Sequence, residues 1–173
     1  YGDSASIEAS FVEFADKIED KNNLFITTQL PLLGQTVGVG ENANYQAVNI
    51  RIEQSAYIFD IKTKSELITG VRFALPGTHN LINALMAFSM AKIYGVSDEN
   101  SKKALASFKG IRRRFSYQIQ EEKLVYIDDY AHHPTEINAV HQAVSELYPG
   151  RKVLAIFQPH LFSRTRDFAD DFA

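Results

Sequence analysis

Residues 123–157, "KLVYIDDYAHHPTEINAVHQAVSELYPGRKVLAIF", decide how the second half of the chain folds. "KLVYI" is a short apolar run of strand character, and "KVLAIF" is a second one. Between them, "PTEINAVHQAVSELYPG" carries Pro134 in a first helical turn, Ile137, Val140, Val144 and Leu147 on one face, and Gly150 at its end. Strand, helix and strand in this order predict a βαβ unit whose crossover makes the two strands parallel. Their carboxyl ends would share one edge. The first strand delivers Asp128, Asp129, Tyr130, His132 and His133 to it, and the second delivers Gln158, His160, Ser163, Arg164 and Arg166. Ligands of open α/β sheets bind at such an edge. Helix starts near Pro134 and Ser163 would add free N–H groups that attract anions.

Working back toward the N-terminus, Gly110 stops a helix in "SDENSKKALASFKG", which Ser97 caps. "PGTHNLINALMAFSMAKIYGV" predicts a helix from about Thr78, apolar around most of its circumference and therefore buried. From Leu24 to Leu75 the period is two. Val48, Ile50 and Ile52 alternate with Asn49 and Arg51, while Leu67, Val71, Phe73 and Leu75 share a face across the gap at Thr69. These stretches predict antiparallel strands joined by polar turns such as "KTKSE". Ser4 or Ser6 caps a first helix running to about Asp20, with Ile7, Phe11, Phe14, Ala15 and Ile18 on one face.

The bulk properties narrow the function. The 173 residues are 45% hydrophobic, enough for a core, and no apolar run approaches the roughly 20 residues that a membrane span requires. The opening residues show no signal-peptide pattern. Without cysteine, disulfides and thiolate metal sites are excluded, and a cytoplasmic location is the expectation. A net charge of -3 argues against bulk attraction to nucleic acid, although Lys109, Arg112, Arg113 and Arg114 form a basic cluster. A start on "YGDSAS" and a stop on "DFADDFA" are read as a piece of a longer protein.

Each candidate site residue has a bland reading beside the chemical one. Asp129 and His132 can orient each other or hold a ribose hydroxyl, or they can merely cap a helix; five polar groups at one strand end favour chemistry. His132 and His133 invite a metal, but neighbours in sequence rarely aim at one ion, and no metal site is expected. "GIRRRF" fits phosphate oxygens or a solvated linker. Asn80 and Asn83, one turn apart in "HNLIN", suit an adenine edge or helix capping.

Taken together, "GTHNLINAL", "FKGIRRRF", "DDYAHHPTEI" and "FQPHLFSRTRDFADDF", in this order and spacing, closely resemble the Mur ligases. The resemblance is strong from Pro76 onward and loose before it. It implies an α/β fold in which residues 1–114 are the C-terminal part of a P-loop-type central domain, helices plus antiparallel strands. Residues 115–173 are then the start of a Rossmann-like βαβ C-terminal domain. It also implies peptidoglycan-precursor chemistry: ATP phosphorylates a muramoyl carboxylate, and an amino acid's amine attacks the acyl phosphate. The motifs fit best the branch joining L-alanine to UDP-N-acetylmuramate. The alternatives are the branch attaching a preformed tripeptide and a non-catalytic nucleotide- or anion-binding module. By motif, Asn80, Asn83, Arg114, Asp129 and Tyr130 would meet ATP. His132, His160 and Arg164 would meet the other substrates, and Arg114, Asp129 and His132 would carry the chemistry. No P-loop pattern occurs, so the phosphate cradle and the ligands of Mg2+ are expected outside this sequence, and the piece alone is expected to be inactive. Two departures stand out. Leu161 replaces a frequent basic residue, and Ala131 replaces a frequent glycine.

Overall fold

A computed structural model describes residues 4–40, 42–54 and 56–172. Helix α1 (Ser4–Asp16) leads into strands β1 (Phe25–Thr27), β2 (Gln35–Val39), β3 (Tyr45–Glu53), β4 (Ala56–Lys62) and β5 (Leu67–Phe73). Helices α2 (Thr78–Ile93) and α3 (Asp98–Ser107) follow. Then come β6 (Ser116–Gln120), β7 (Val125–Asp128), α4 (Pro134–Leu147) and α5 (Phe162–Asp167). Helix α1 stops short of the expected Asp20: Lys21 Nζ caps the helix end by donating to Ala15 O at 2.9 Å, while Asp20 caps the next turn through Asn22 N–H. Ser6 lies inside the helix, and the side chain of Ser4 lies outside the described residues.

The first five strands form one sheet in sequence order. Its directions differ from the expectation: β1, β2 and β3 run parallel, and only β3–β4 and β4–β5 are antiparallel. Asn44 explains the β2–β3 pair. Its Oδ1 accepts from Thr36 N–H at 2.9 Å and from the Thr36 hydroxyl at 2.8 Å. This clasp returns the chain to the start of β2, so β3 must leave in the same direction.

Both antiparallel pairs contain a bulge, and one carboxylate serves both. Asp60 accepts from Asn49 Nδ2 at 2.8 Å and from Gly70 N–H at 2.9 Å. Asn49 and Gly70 have positive φ, 53° and 71°, as bulged positions often do. The bonds from Asn49 and Gly70 hold the Asp60 carboxyl below its ordinary pKa. The bulge at Gly70 also shifts the side-chain phase, so Ile68, not Leu67, joins Val71 and Phe73 in the core.

Helix α2 packs across this sheet with Leu81, Ala84, Leu85 and Phe88 against Val37, Phe59, Ile61 and Val71. Burying each large side chain contributes about 1.5–3 kcal/mol. Only one face is covered; Met90 and Ile93 on the other side are exposed. Lys92 pins the helix end, reaching Asp98 at 2.8 Å and Glu66 at 3.0 Å.

The second half departs most from the sequence reading. The partner of β7 is β6, antiparallel, and residues 151–161 form no strand. "KVLAIF" is extended and uncovered, with Leu154 84% and Ile156 91% exposed, so the parallel βαβ pair is not formed among the described residues. Apolar composition supplies the tendency to be a strand, but a ladder exists only where a neighbour offers its backbone groups.

Candidate functional site

The start of α2 forms one side of the site. Gly77, with φ 95°, is the residue before the helix, a backbone conformation that favours glycine, and a Cβ there would lie 2.8 Å from His79 Cε1, so the imidazole would have to shift. Asn80 Nδ2 donates to Pro76 O at 2.7 Å, which spends part of its amide on the turn. Asn83 is exposed one turn further on. A cleft of about 200 Å³ lies beside this helix start, lined by Thr27, Gln29, Val39, Thr78 and Ile82 among others.

The arginine segment and the loop after β7 are tied together by Asp129. Its Oδ2 accepts from Phe115 N–H and its Oδ1 from Ala131 N–H, both at 2.7 Å. Tyr130 N–H adds a bond to Arg113 O at 2.9 Å, and the Arg113 guanidinium lies 4.7 Å from the centroid of the Tyr130 ring. Arg113 and Phe115 both hold positive φ, 61° and 47°, a conformation that these contacts and the burial of Phe115 stabilise. Ala131 does not take a positive φ, so its backbone accommodates a Cβ without strain.

The adjacent histidines do opposite things. His132 Nδ1 is 2.8 Å from Tyr130 O, and since a carbonyl only accepts, Nδ1 carries the proton and Nε2 is the remaining nitrogen. His133 Nδ1 instead accepts from Thr135 N–H at 3.4 Å and caps α4. Glu136 completes the box, its Oε2 accepting from His132 N–H at 3.0 Å and His133 N–H at 3.2 Å. Burial pushes the Glu136 carboxyl up, but the His132 N–H and imidazole and the same groups of His133 outweigh it, leaving the pKa lowered. The expected anion site at this helix start therefore already holds the chain's own carboxylate.

The C-terminal segment closes on this loop. The ring centroids of His132 and His160 are 6.3 Å apart, and His133 meets Phe168 at 4.4 Å. The two segments thus lie on one rim without the strand pairing that was expected to bring them there. Leu161, at φ 70°, sits where the chain turns into α5. Arg164 follows in that short helix. Its Nη1 is buried without a hydrogen-bond partner among the described residues, a cationic donor that leaves an acceptor to be supplied.

Of the sequence-predicted residues, Asp129, Tyr130, His132 and His160 form one contiguous group, and Arg114 is exposed beside it. Asn80 and Asn83 stand on the α2 side. His79 connects the sides electrostatically: burial lowers its pKa, Asp129 opposes this, and Arg114 lowers it further. Sequence reasoning took Arg113 only as one of a basic cluster and missed its aromatic partner 17 residues away in the chain, and it passed over His79 inside a motif read for its asparagines. No three His, Asp or Glu among the described residues come together as a metal cluster. None of the helices among them is long and apolar enough to cross a membrane.

Comparison with known proteins adds to this geometry. A family model described as "Mur ligase, glutamate ligase domain" matches residues 113–173. The UDP-N-acetylmuramate–L-alanine ligase of Flavobacterium johnsoniae is 67% identical over 173 residues, which cover 100% of this chain and 38% of that protein. The chain spans 38–39% of the length of the first such curated relatives. The crystal structure of UDP-N-acetylmuramate-alanine ligase from Thermotoga maritima superposes with a TM-score of 0.64 at 27% identity, covering 76% of this chain and 31% of that one. Folylpolyglutamate synthetase from Lactobacillus casei, at 17% identity, shares the fold alone, with a TM-score of 0.67 over 85% of this chain and 41% of its own. Similarity that spans the full 173 residues, and a domain match that begins at the arginine segment, mean that this chain belongs to the Mur ligase family.

Proposed function

We propose that this chain is the part of an ATP-dependent ligase that faces the nucleotide and the amino acid, and that the whole enzyme joins L-alanine to UDP-N-acetylmuramate. The observation that carries the reading is the convergence of residues 129–133 and 160–168 on one rim, seen in the contacts of His132 with His160 and of His133 with Phe168. The identity to relatives bearing that name supports the choice of substrates.

The donor set suits anionic oxygens. Arg164 Nη1 is a buried cationic donor in need of an acceptor, and the exposed Arg112–Arg114 run offers guanidinium forks. In the reaction, the γ-phosphoryl of ATP passes to the muramoyl carboxylate and ADP leaves. The alanine amine then attacks the acyl carbon, and phosphate departs as the amine loses its proton. Arg114 would steady phosphate oxygens, Asn80 and Asn83 the adenine side, and Asp129 and Tyr130 the remainder of the nucleotide. His132, with Nε2 unprotonated when neutral, is suited to accept a proton, and His160 and Arg164 would receive carboxylate groups. Mg2+ would be bound by residues beyond this chain. Residues 1–114 would belong to the central domain, residues 115–173 to the closing one, and the enzyme to the cytoplasm.

In the whole ligase, Arg164→Ala is expected to raise the alanine KM roughly tenfold or more, the scale of one lost charge-assisted hydrogen bond. An unchanged KM removes that assignment. The 173-residue chain alone, given ATP, L-alanine and UDP-N-acetylmuramate, is expected to release no ADP. Tight ATP binding by the chain alone in calorimetry would favour an independent nucleotide-binding module instead.

A further inference from the structure

Tyr57 lies on the core strand β4 and is 5% exposed, yet its hydroxyl contacts two elements outside the sheet. It accepts from Gly77 N–H at 3.1 Å, at the start of α2, and donates to Glu146 Oε2 at 3.0 Å, on α4. A second contact lies alongside, because a Cβ built on Gly77 would come within 3.5 Å of Ala143 Cβ. Gln142 Nε2 donates to the other Glu146 oxygen at 3.1 Å and holds that carboxylate in place.

These bonds join the two sides of the candidate site. Gly77 leads directly into His79 and Asn80, whereas α4 begins at Pro134, directly after His132 and His133. We infer that Tyr57 is a positioning residue whose single hydroxyl fixes the spacing between the HNLIN helix and the DDYAHH loop by clamping the α2 start to α4. The phenol suits this task. Burial and the Glu146 carboxylate push its pKa to about 12, with the Gly77 bond opposing, so the hydroxyl keeps its proton and goes on donating at neutral pH. A phenylalanine would fill the same space and make neither bond.

The chain has no cysteine, so spin labels can be placed at will. Labels at Lys103→Cys on α3, which packs against β5 and α2, and at His141→Cys on α4 report the distance across the two sides. The parent chain is expected to give one narrow distance distribution. Tyr57→Phe and Glu146→Ala are each expected to broaden it about twofold, the two together no further than either alone, and Glu146→Gln, which keeps an acceptor oxygen, is expected to restore the narrow width. Unchanged widths in both single variants overturn the inference, as does additive broadening in the double variant. Should Tyr57→Phe fail to fold, Glu146→Ala carries the test, because Glu146 is exposed and outside the core. The measurement reads spacing rather than turnover, so its failure leaves the ligase reading intact and the converse also holds.

Discussion

The halves of this chain are stabilised by different means. In the first, Val37, Phe59, Ile61, Val71, Leu85 and Phe88 are at most 1% exposed, and the sheet and α2 form a dry core. In the second, Phe115, Pro134 and Ala143 are the buried apolar residues among the described ones, and order comes from Asp129 joining two segments, from the capping box at His133 and from the Tyr57 hydroxyl. Apolar burial is non-directional and strong, whereas hydrogen bonds fix geometry at a small net gain. The half that carries most of the candidate chemistry is the one organised by directional bonds.

That contrast breaks if core and clasp substitutions behave alike. Phe59→Ala should cost the most, about 3–5 kcal/mol, through the cavity it leaves. Denaturant unfolding should show it as a lowered midpoint at unchanged slope, and a cost below that of Asp129→Ala would reverse the comparison. Asp129→Ala comes next. It strands the N–H groups of Phe115 and Ala131 at about 1–3 kcal/mol each where they are buried, and amide exchange should accelerate around residues 113–133 while the α2 amides stay protected. Faster exchange in α2 would mean that the halves share one core after all.

The smallest effect concerns acid. Glu136 has a lowered pKa in the folded chain, so its contribution is complete above the ordinary carboxylate value of 4.5 and is lost as pH falls through the folded value. Nuclear magnetic resonance of the His132 and His133 amides should show the start of α4 loosening at acid pH, and Glu136→Gln should abolish that dependence. An identical acid profile in the variant would remove the capping box from the description.

What was legible in the sequence was local. Helices α2, α3 and α4 announce themselves within a few residues, through Gly77, Ser97 and Pro134 at their starts, since caps and helical hydrogen bonds connect positions three or four apart. The motif loop from Asp129 to His133 was also plain, because its polar residues are consecutive. Sheet direction was not. Whether β2 and β3 run parallel depends on Asn44 clasping Thr36 across a turn, and whether "VLAIF" becomes a strand depends on a neighbour that its own residues do not specify. Nothing in the residues around Tyr57 points to its partner, and only the fold brings it to Glu146, 89 residues away. Short-range bonds are written in adjacent residues, so sequence alone determined the helices and the chemical inventory. Long-range pairing is chosen by what the whole chain brings close, so tertiary structure alone decided strand order, histidine roles and the joint between the two sides of the site.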